Sequence, residues 1–255
     1  MANMLDLICA RNLTPSKGAA ILIGYEGVPE TEDELGHLEW AFDRLQFNIY
    51  NMRVAVDVTD ESALAEFRAL ATRVDGKGKL TVVCFAGHGA SDDKRLYACK
   101  EDKASYFDFS ALQELARDEL RAHFLFVVDC CYSGLRIPRP AFRDRDASFA
   151  SVPNRDHTVE IVSSGGSKAR TNPGLSRRAA LAFASVEHSV PCSVKDLFDR
   201  LISCPGEDPP GRYRLVCGLG SSMLQQMPLT EQPLQALPGH ALVTGPNGGQ
   251  FWRSL

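Results

Sequence analysis

Two of the 255 residues are placed for nucleophilic chemistry, Cys131 and His88. Cys131 follows the run His123-Phe124-Leu125-Phe126-Val127-Val128-Asp129-Cys130, in which four apolar residues in succession, Leu125 to Val128, show no alternation. Such a run suits a strand buried on both faces of a parallel sheet, and in open α/β sheets the chemistry collects at the carboxyl ends of the strands. With extended geometry carried to the tip, Asp129 and Cys131 project to one side and Cys130 to the other. His88 ends a second run, Leu80-Thr81-Val82-Val83-Cys84-Phe85-Ala86-Gly87-His88-Gly89, where two glycines let the backbone turn around the imidazole. Neighbouring parallel strands lie only about 4.8 Å apart, so adjacent tips bring an imidazole within reach of a thiol. A free thiol is only a few per cent thiolate at neutral pH, and an imidazole that takes or holds off its proton turns it into an acyl-transfer nucleophile. Cys130 stands as the alternative nucleophile. His37, His123, His157, His188 and His240 have no comparable setting.

The elements that must position the pair follow from the patterning. Gly18 to Tyr25 reads as a first buried strand. Leu35, Leu38, Ala41, Phe42 and Leu45 then give the three-and-four spacing of a helix over 33–47 with one buried face. Met52 to Val58 reads as a strand, and Asp60 as the cap of a helix over 61–74. Asp75-Gly76-Lys77-Gly78 is the turn back into the His88 strand. A helix over 109–120 precedes the Cys131 strand. Thr158 to Gly165 is a further strand, 179–186 and 193–202 are helices, the second capped by Ser193, and Gly211 to Gly218 is a last strand. This alternation predicts a largely parallel sheet with helices on both faces.

Composition narrows the function classes. A net charge of −4 and a pI near 5.9 give no electrostatic footprint for nucleic acid. No apolar run is long enough to span a bilayer, and the first residues lack the charged-then-apolar order of a signal peptide, so a cytoplasmic protein without a membrane role is expected. Of the eight cysteines only Cys130 and Cys131 are close together and no Cys-x-x-Cys occurs, which favours reduced thiols over zinc or disulfides.

Phe85-Ala86-Gly87-His88-Gly89 and Asp129-Cys130-Cys131-Tyr132-Ser133-Gly134 resemble the two signatures of caspase-like cysteine peptidases, and the metacaspase branch in particular. Animal caspases carry Gln-Ala-Cys with the histidine about 50 residues upstream; here the spacing is 43 and an acid replaces the glutamine. The resemblance covers about residues 17–220. It implies a caspase-like three-layer α/β/α sandwich with a mostly parallel central sheet, a single peptidase domain over 1–255, and an irregular tail over about 223–255. It also implies a Cys131–His88 dyad, with the amides of Gly89 and Cys131 as oxyanion donors; no cofactor is expected, calcium being the one weakly supported candidate. Asp129 and Ser164 would border the primary pocket, and the acid two residues before the nucleophile implies cleavage of protein or peptide substrates after arginine or lysine. The alternative for Asp129 is a structural one, orienting nearby backbone amides. The alternative for the whole chain is a catalytically silent caspase-like scaffold for interaction.

Three stretches depart from the pattern or add to it. Asp92, Asp93, Glu101 and Asp102 fall where calcium-dependent metacaspases carry acids, but Lys94, Lys100 and Lys103 are interleaved and glycine turns are absent, which reads as a solvated loop. Residues 135–157 hold three prolines and five arginines without a sustained period, a long loop in which Arg139, Arg143 and Arg145 are the self-cleavage candidates. Residues 166–174 differ from the family's pocket sequence, and the usual Asn-Asp after the first strand is missing, so the second acid of the pocket has no assignment from the motif.

Overall fold

The computed structural model describes residues 18–55, 57–91, 96–99, 105–131, 157–164 and 174–185, with shorter pieces at 192–193, 197, 200–201, 211–216, 223–224, 240–244 and 250–254. In chain order the first half reads β1 (Ala19–Tyr25), α1 (Pro29–Arg44), β2 (Asn48–Val54), α2 (Asp60–Val74) and β3 (Leu80–Ala86). A small hairpin sheet follows, β4 (His88–Ser91), β5 (Leu96–Cys99) and β6 (Tyr106–Asp108), and then α3 (Phe109–Asp118) and β7 (His123–Asp129). Next come β8 (Val159–Ser163), α4 (Leu175–Ala184), β9 (Cys192–Ser193) and β10 (Gly211–Val216), with β11 (Met223–Leu224), β12 (His240–Thr244) and β13 (Gln250–Ser254) beyond them.

The central sheet runs β10-β8-β7-β3-β1-β2, with every neighbouring pair parallel except β10 against β8. This is the expected α/β/α arrangement with a mostly parallel sheet. Alternation along the strands divides the core in two. Ile21, Ile23, Val83, Phe85, Phe124, Phe126 and Val128 face α2 and α3, meeting Phe67, Ala71, Phe109 and Leu112. Ala20, Leu22, Val82, Cys84, Leu125 and Val127 face α1 and α4, meeting Leu38, Phe42, Ala179 and Phe183. A strand buried on both faces has no polar side to alternate with, which is why β1, β3 and β7 read as unbroken apolar runs.

Several element ends differ from the expectations, each for a local reason. The first helix starts at Pro29 rather than near Asp33. Proline at the first helical position gives up an amide that would be unpartnered anyway, and Glu30 and Glu32 suit the positive end of the helix. β2 is shifted toward the N-terminus because its register is set by β1, from Ala19 opposite Asn48 to Tyr25 opposite Val54. As an edge strand it tolerates its half-exposed polar residues. Thr59, not Asp60, caps α2, through a reciprocal box in which Thr59 Oγ1 accepts from the Ser62 amide and Ser62 Oγ from the Thr59 amide. Ser193 lies in the two-residue strand β9, which pairs with β11, and beyond it Leu197, Arg200 and Leu201 are helical. The region after Met223 carries an antiparallel hairpin, β12 against β13, in place of a wholly irregular tail; its short apolar runs Ala241-Leu242-Val243 and Phe251-Trp252 are the strand signal in the sequence. Among the described residues no helix is long and apolar enough to cross a membrane.

Candidate active site

The two strands that carry the candidate dyad are direct neighbours. β3 and β7 pair in parallel from Leu80 opposite His123 to Ala86 opposite Asp129, and the Gly87 amide continues the ladder by donating to the Asp129 carbonyl at 3.1 Å. Two residues beyond that last pair stand His88 and Cys131, so both follow directly on neighbouring strand tips. Gly87 makes the turn out of β3 at φ 152°, a conformation that side chains rarely permit, and His88 opens β4 rather than ending the core strand. His88 is exposed and Cys131 is half-buried in the turn after β7.

Gly89 is held against the other tip. A methyl group built on it would overlap the Cys131 carbonyl oxygen and would lie 2.8 Å from Cys130 Sγ and 3.1 Å from Cys130 Cβ. The residue after the histidine therefore has to lack a side chain for the two tips to meet. Cys130 turns to the opposite side from Asp129, joining Val128 in the α2–α3 core. Burial, and then the nearby Asp129 carboxylate, push its thiol well above the ordinary range, so it stays protonated. Ser164 is buried at the end of β8, where its amide donates to the Val128 carbonyl at 3.0 Å and its hydroxyl to the Cys130 carbonyl at 3.2 Å.

Asp129 points to the α1–α4 side and is only 4 % exposed. Its Oδ2 accepts from the Gly174 amide at 3.2 Å and the Ser176 amide at 2.7 Å, which makes it the cap of α4 from another part of the chain. Its Oδ1 is buried, and among the described residues no donor meets it in good hydrogen-bond geometry, with the Ser176 and Ser164 side chains close by. Burial raises the Asp129 pKa above the ordinary carboxylate value, and the bonds from Ser176 and Gly174 offset this only in part. A second acid shares this helix end. Glu34 Oε2 accepts from the Arg177 amide at 3.0 Å, and the Arg177 guanidinium reaches Asp33 at 3.0 Å and Glu34 Oε1 at 3.8 Å. Burial raises the Glu34 pKa too, with the Asp129 charge adding to the rise and Arg177 working against it. Two carboxyl groups from β7 and α1 thus converge on the first turn of α4.

Neither Glu34 nor Arg177 stood out in the sequence. Glu34 is one of four acids among Glu30, Glu32, Asp33 and Glu34, and only the fold tells it from the rest. Arg139, Arg143 and Arg145 lie outside the described residues, as do Asp92, Asp93, Glu101, Asp102 and the 166–173 segment. Among the described residues no group of three or more His, Cys, Asp or Glu side chains is arranged to hold a metal ion. His37 lies on α1, with its Nδ1 2.7 Å from the Asp33 carbonyl. His123 sits at the far end of β7, where its Nδ1 accepts from the Thr158 amide at 3.1 Å.

A family model described as the caspase domain matches residues 17–199. Among solved structures, a protein from Geobacter sulfurreducens, GSU0716, is similar at 13 % identity with a TM-score of 0.52, covering 79 % of this chain and 94 % of that one. The Drosophila initiator caspase Dronc is similar at 10 % identity with a TM-score of 0.50, covering 80 % of this chain and 81 % of that one. No curated protein matches the chain significantly by sequence.

Proposed function

The chain belongs to the caspase family, and on that premise we propose a cysteine endopeptidase of metacaspase type that works through Cys131 and His88. The observation that carries this is the shared level of the two strand tips, with Ala86 opposite Asp129 and Gly89 seated against the Cys131 carbonyl. Cys131 Sγ attacks the peptide carbonyl carbon as its proton passes to His88. The carbon–nitrogen bond breaks as His88 protonates the departing amine, and water then hydrolyses the thioester and restores the thiol. The amides of Gly89 and Cys131 serve the oxyanion. Cys130 is a poor candidate for the same role because its thiol is buried and held protonated.

Cleavage after arginine or lysine is the specificity we assign, with Asp129 as the acid and Ser164 beside it. Support comes from the buried Asp129 carboxyl group, whose Oδ1 meets no well-placed donor among the described residues: an arriving cation would provide one and oppose the burial that raises its pKa. Self-processing in the 135–157 loop at Arg139, Arg143 or Arg145 follows from the same preference. The cell interior is the setting that suits reduced thiols such as the buried Cys84 and Cys130.

Alkylation separates this enzyme from a silent caspase-like scaffold. Iodoacetamide should modify Cys131 faster than the other thiols, and His88→Ala should remove that advantage. Cys131→Ala and His88→Ala should each abolish hydrolysis of arginine peptides while the thermal melt stays near wild type, because neither side chain is in the core. Wild-type protein with no turnover and no preferred thiol would overturn the assignment.

A further inference from the structure

In the β4–β5–β6 sheet, His88, Cys99 and Tyr106 are paired directly across the three strands, and Ala90, Tyr97 and Asp108 form the next row of the same parity. Side chains in such rows share a face. The row of the other parity, Gly89, Ala98 and Phe107, turns inward: Ala98 and Phe107 are fully buried in the core cluster that contains Cys130, and Gly89 lies on the Cys130 side chain. Apart from Cys99, which is itself only 2 % exposed, the His88 face looks away from that core. On it the Tyr97 and Tyr106 rings meet edge to face, with centroids 5.6 Å apart and planes at 84°. Tyr106 is 57 % exposed, the exposed large hydrophobic among the described residues.

A lone exposed tyrosine is ordinary; the position of this pair is not. The Tyr25 hydroxyl, at the tip of β1, donates to the Ala98 carbonyl at 3.1 Å. Asp60, the first residue of α2, accepts from the Asp108 amide at 2.6 Å. The small sheet thus leaves the tip of β3 and passes the tip of β1 toward the start of α2, away from β7. Cys131 and Asp129 stand on one side of His88, and the tyrosines on the other. In the acyl transfer proposed above, His88 protonates the leaving amine, so the substrate chain passing over the tyrosine side is the part after the scissile bond. Diagonal cross-strand neighbours are about 7–8 Å apart and adjacent strands about 4.8 Å. An extended peptide advances about 3.3–3.6 Å per residue. Tyr97 is then reached by the second residue after the bond, and Tyr106 by the third.

We infer that Tyr97 and Tyr106 form a leaving-side subsite that selects a flat side chain, aromatic or guanidinium, at the second and third substrate positions after the cleaved bond. The chemistry is that of the ring faces and edges, which attract aromatic rings and delocalised cations alike.

The inference rests on the peptidase reading, and the test keeps the two apart. Internally quenched peptides with phenylalanine or arginine at those positions are compared with glycine versions, alongside a fluorogenic arginine amide that has no residues after the bond. Tyr97→Ala and Tyr106→Ala should each lower kcat/KM for the phenylalanine and arginine peptides by about threefold to tenfold, the range expected for one ring contact. The glycine peptide and the arginine amide should be unaffected. Equal losses on all substrates, or no loss on any, would overturn the subsite while leaving the peptidase standing. Binding of the same peptides to Cys131→Ala protein is measured by fluorescence anisotropy, with and without Tyr106→Ala. If wild type turns nothing over, a loss of phenylalanine-peptide affinity in that arm supports the subsite although the peptidase reading has failed, and unchanged affinity overturns both.

Discussion

Replacing Asp129 by asparagine and by alanine separates what its shape does from what its charge does. One oxygen accepts two amides of the α4 first turn, at 2.7 and 3.2 Å, inside a site that is 4 % exposed. Asparagine keeps a carbonyl oxygen for both donors and removes a buried charge, so the expected change in stability at neutral pH is within about 1 kcal/mol. Alanine leaves two buried donors without an acceptor, and the expected loss is about 2–4 kcal/mol, or a melting temperature lower by about 5–12 °C in a domain of this size. The pH dependence has a definite sign. The folded pKa lies above the unfolded value of about 4, so in the window between them the folded state binds the extra proton. The contribution of Asp129 to stability is therefore largest below about pH 4 and falls as pH rises through the raised folded value. Asparagine lacks this decline, so its stability relative to wild type should improve across the window. Urea melts of the three proteins between pH 4 and 8 measure this directly. Peptidase assays on arginine substrates should show asparagine folded but at least about 100-fold slower, the loss of a charged partner to the substrate cation. An asparagine variant as unstable as alanine at pH 7 would refute the balance between burial and capping drawn here. An asparagine variant with unchanged arginine preference would refute the role in specificity.

Gly89→Ala should cost about 1–3 kcal/mol, and it should reduce turnover by about 100-fold, because its methyl group would collide with backbone that cannot move without parting the two tips. Gly36→Ala, with nothing within 4 Å of the new carbon and the same backbone class as the rest of α1, is the control; it should stabilise by about 0.5–1 kcal/mol in the same urea melts. Peptidase activity should survive a chelator with at most a modest loss; complete loss restored by calcium, and removed again by Asp92→Ala, would refute the solvated-loop reading of 91–105.

The sheet was legible because its strands are buried on both faces: β1, β3 and β7 announce themselves as apolar runs, β8 does so apart from its buried Glu160, and the glycines around His88 mark the turn. Helix α4 was legible only in part. Apolar spacing placed a helix near Ala179, yet the helix begins at Leu175, because its opening amides are met by Asp129 and Glu34. Those partners lie 47 and 143 residues away in sequence, and no capping residue stands at Gly174. Periodicity sees neighbours along the chain, and here the start signal comes from elsewhere. The same limit hid Asp60, whose carboxylate looks like a local cap and instead ties β6 to α2. Glu34 was likewise one acid among several until the fold brought it to Asp129.

The remote capping of α4 bears on the order in which the molecule assembles. A ten-residue helix is too short to persist alone in water, and this one has no N-terminal side-chain cap of its own. Its first turn can close only after β7 has entered the sheet and α1 has docked beside it, so α4 should be a late arrival whose formation waits on contacts distant in sequence. Folding thereby inspects the strand tip that bears the candidate nucleophile: a chain in which that tip is misplaced withholds the acceptor of the Gly174 and Ser176 amides, and α4 loses the partner that closes its first turn.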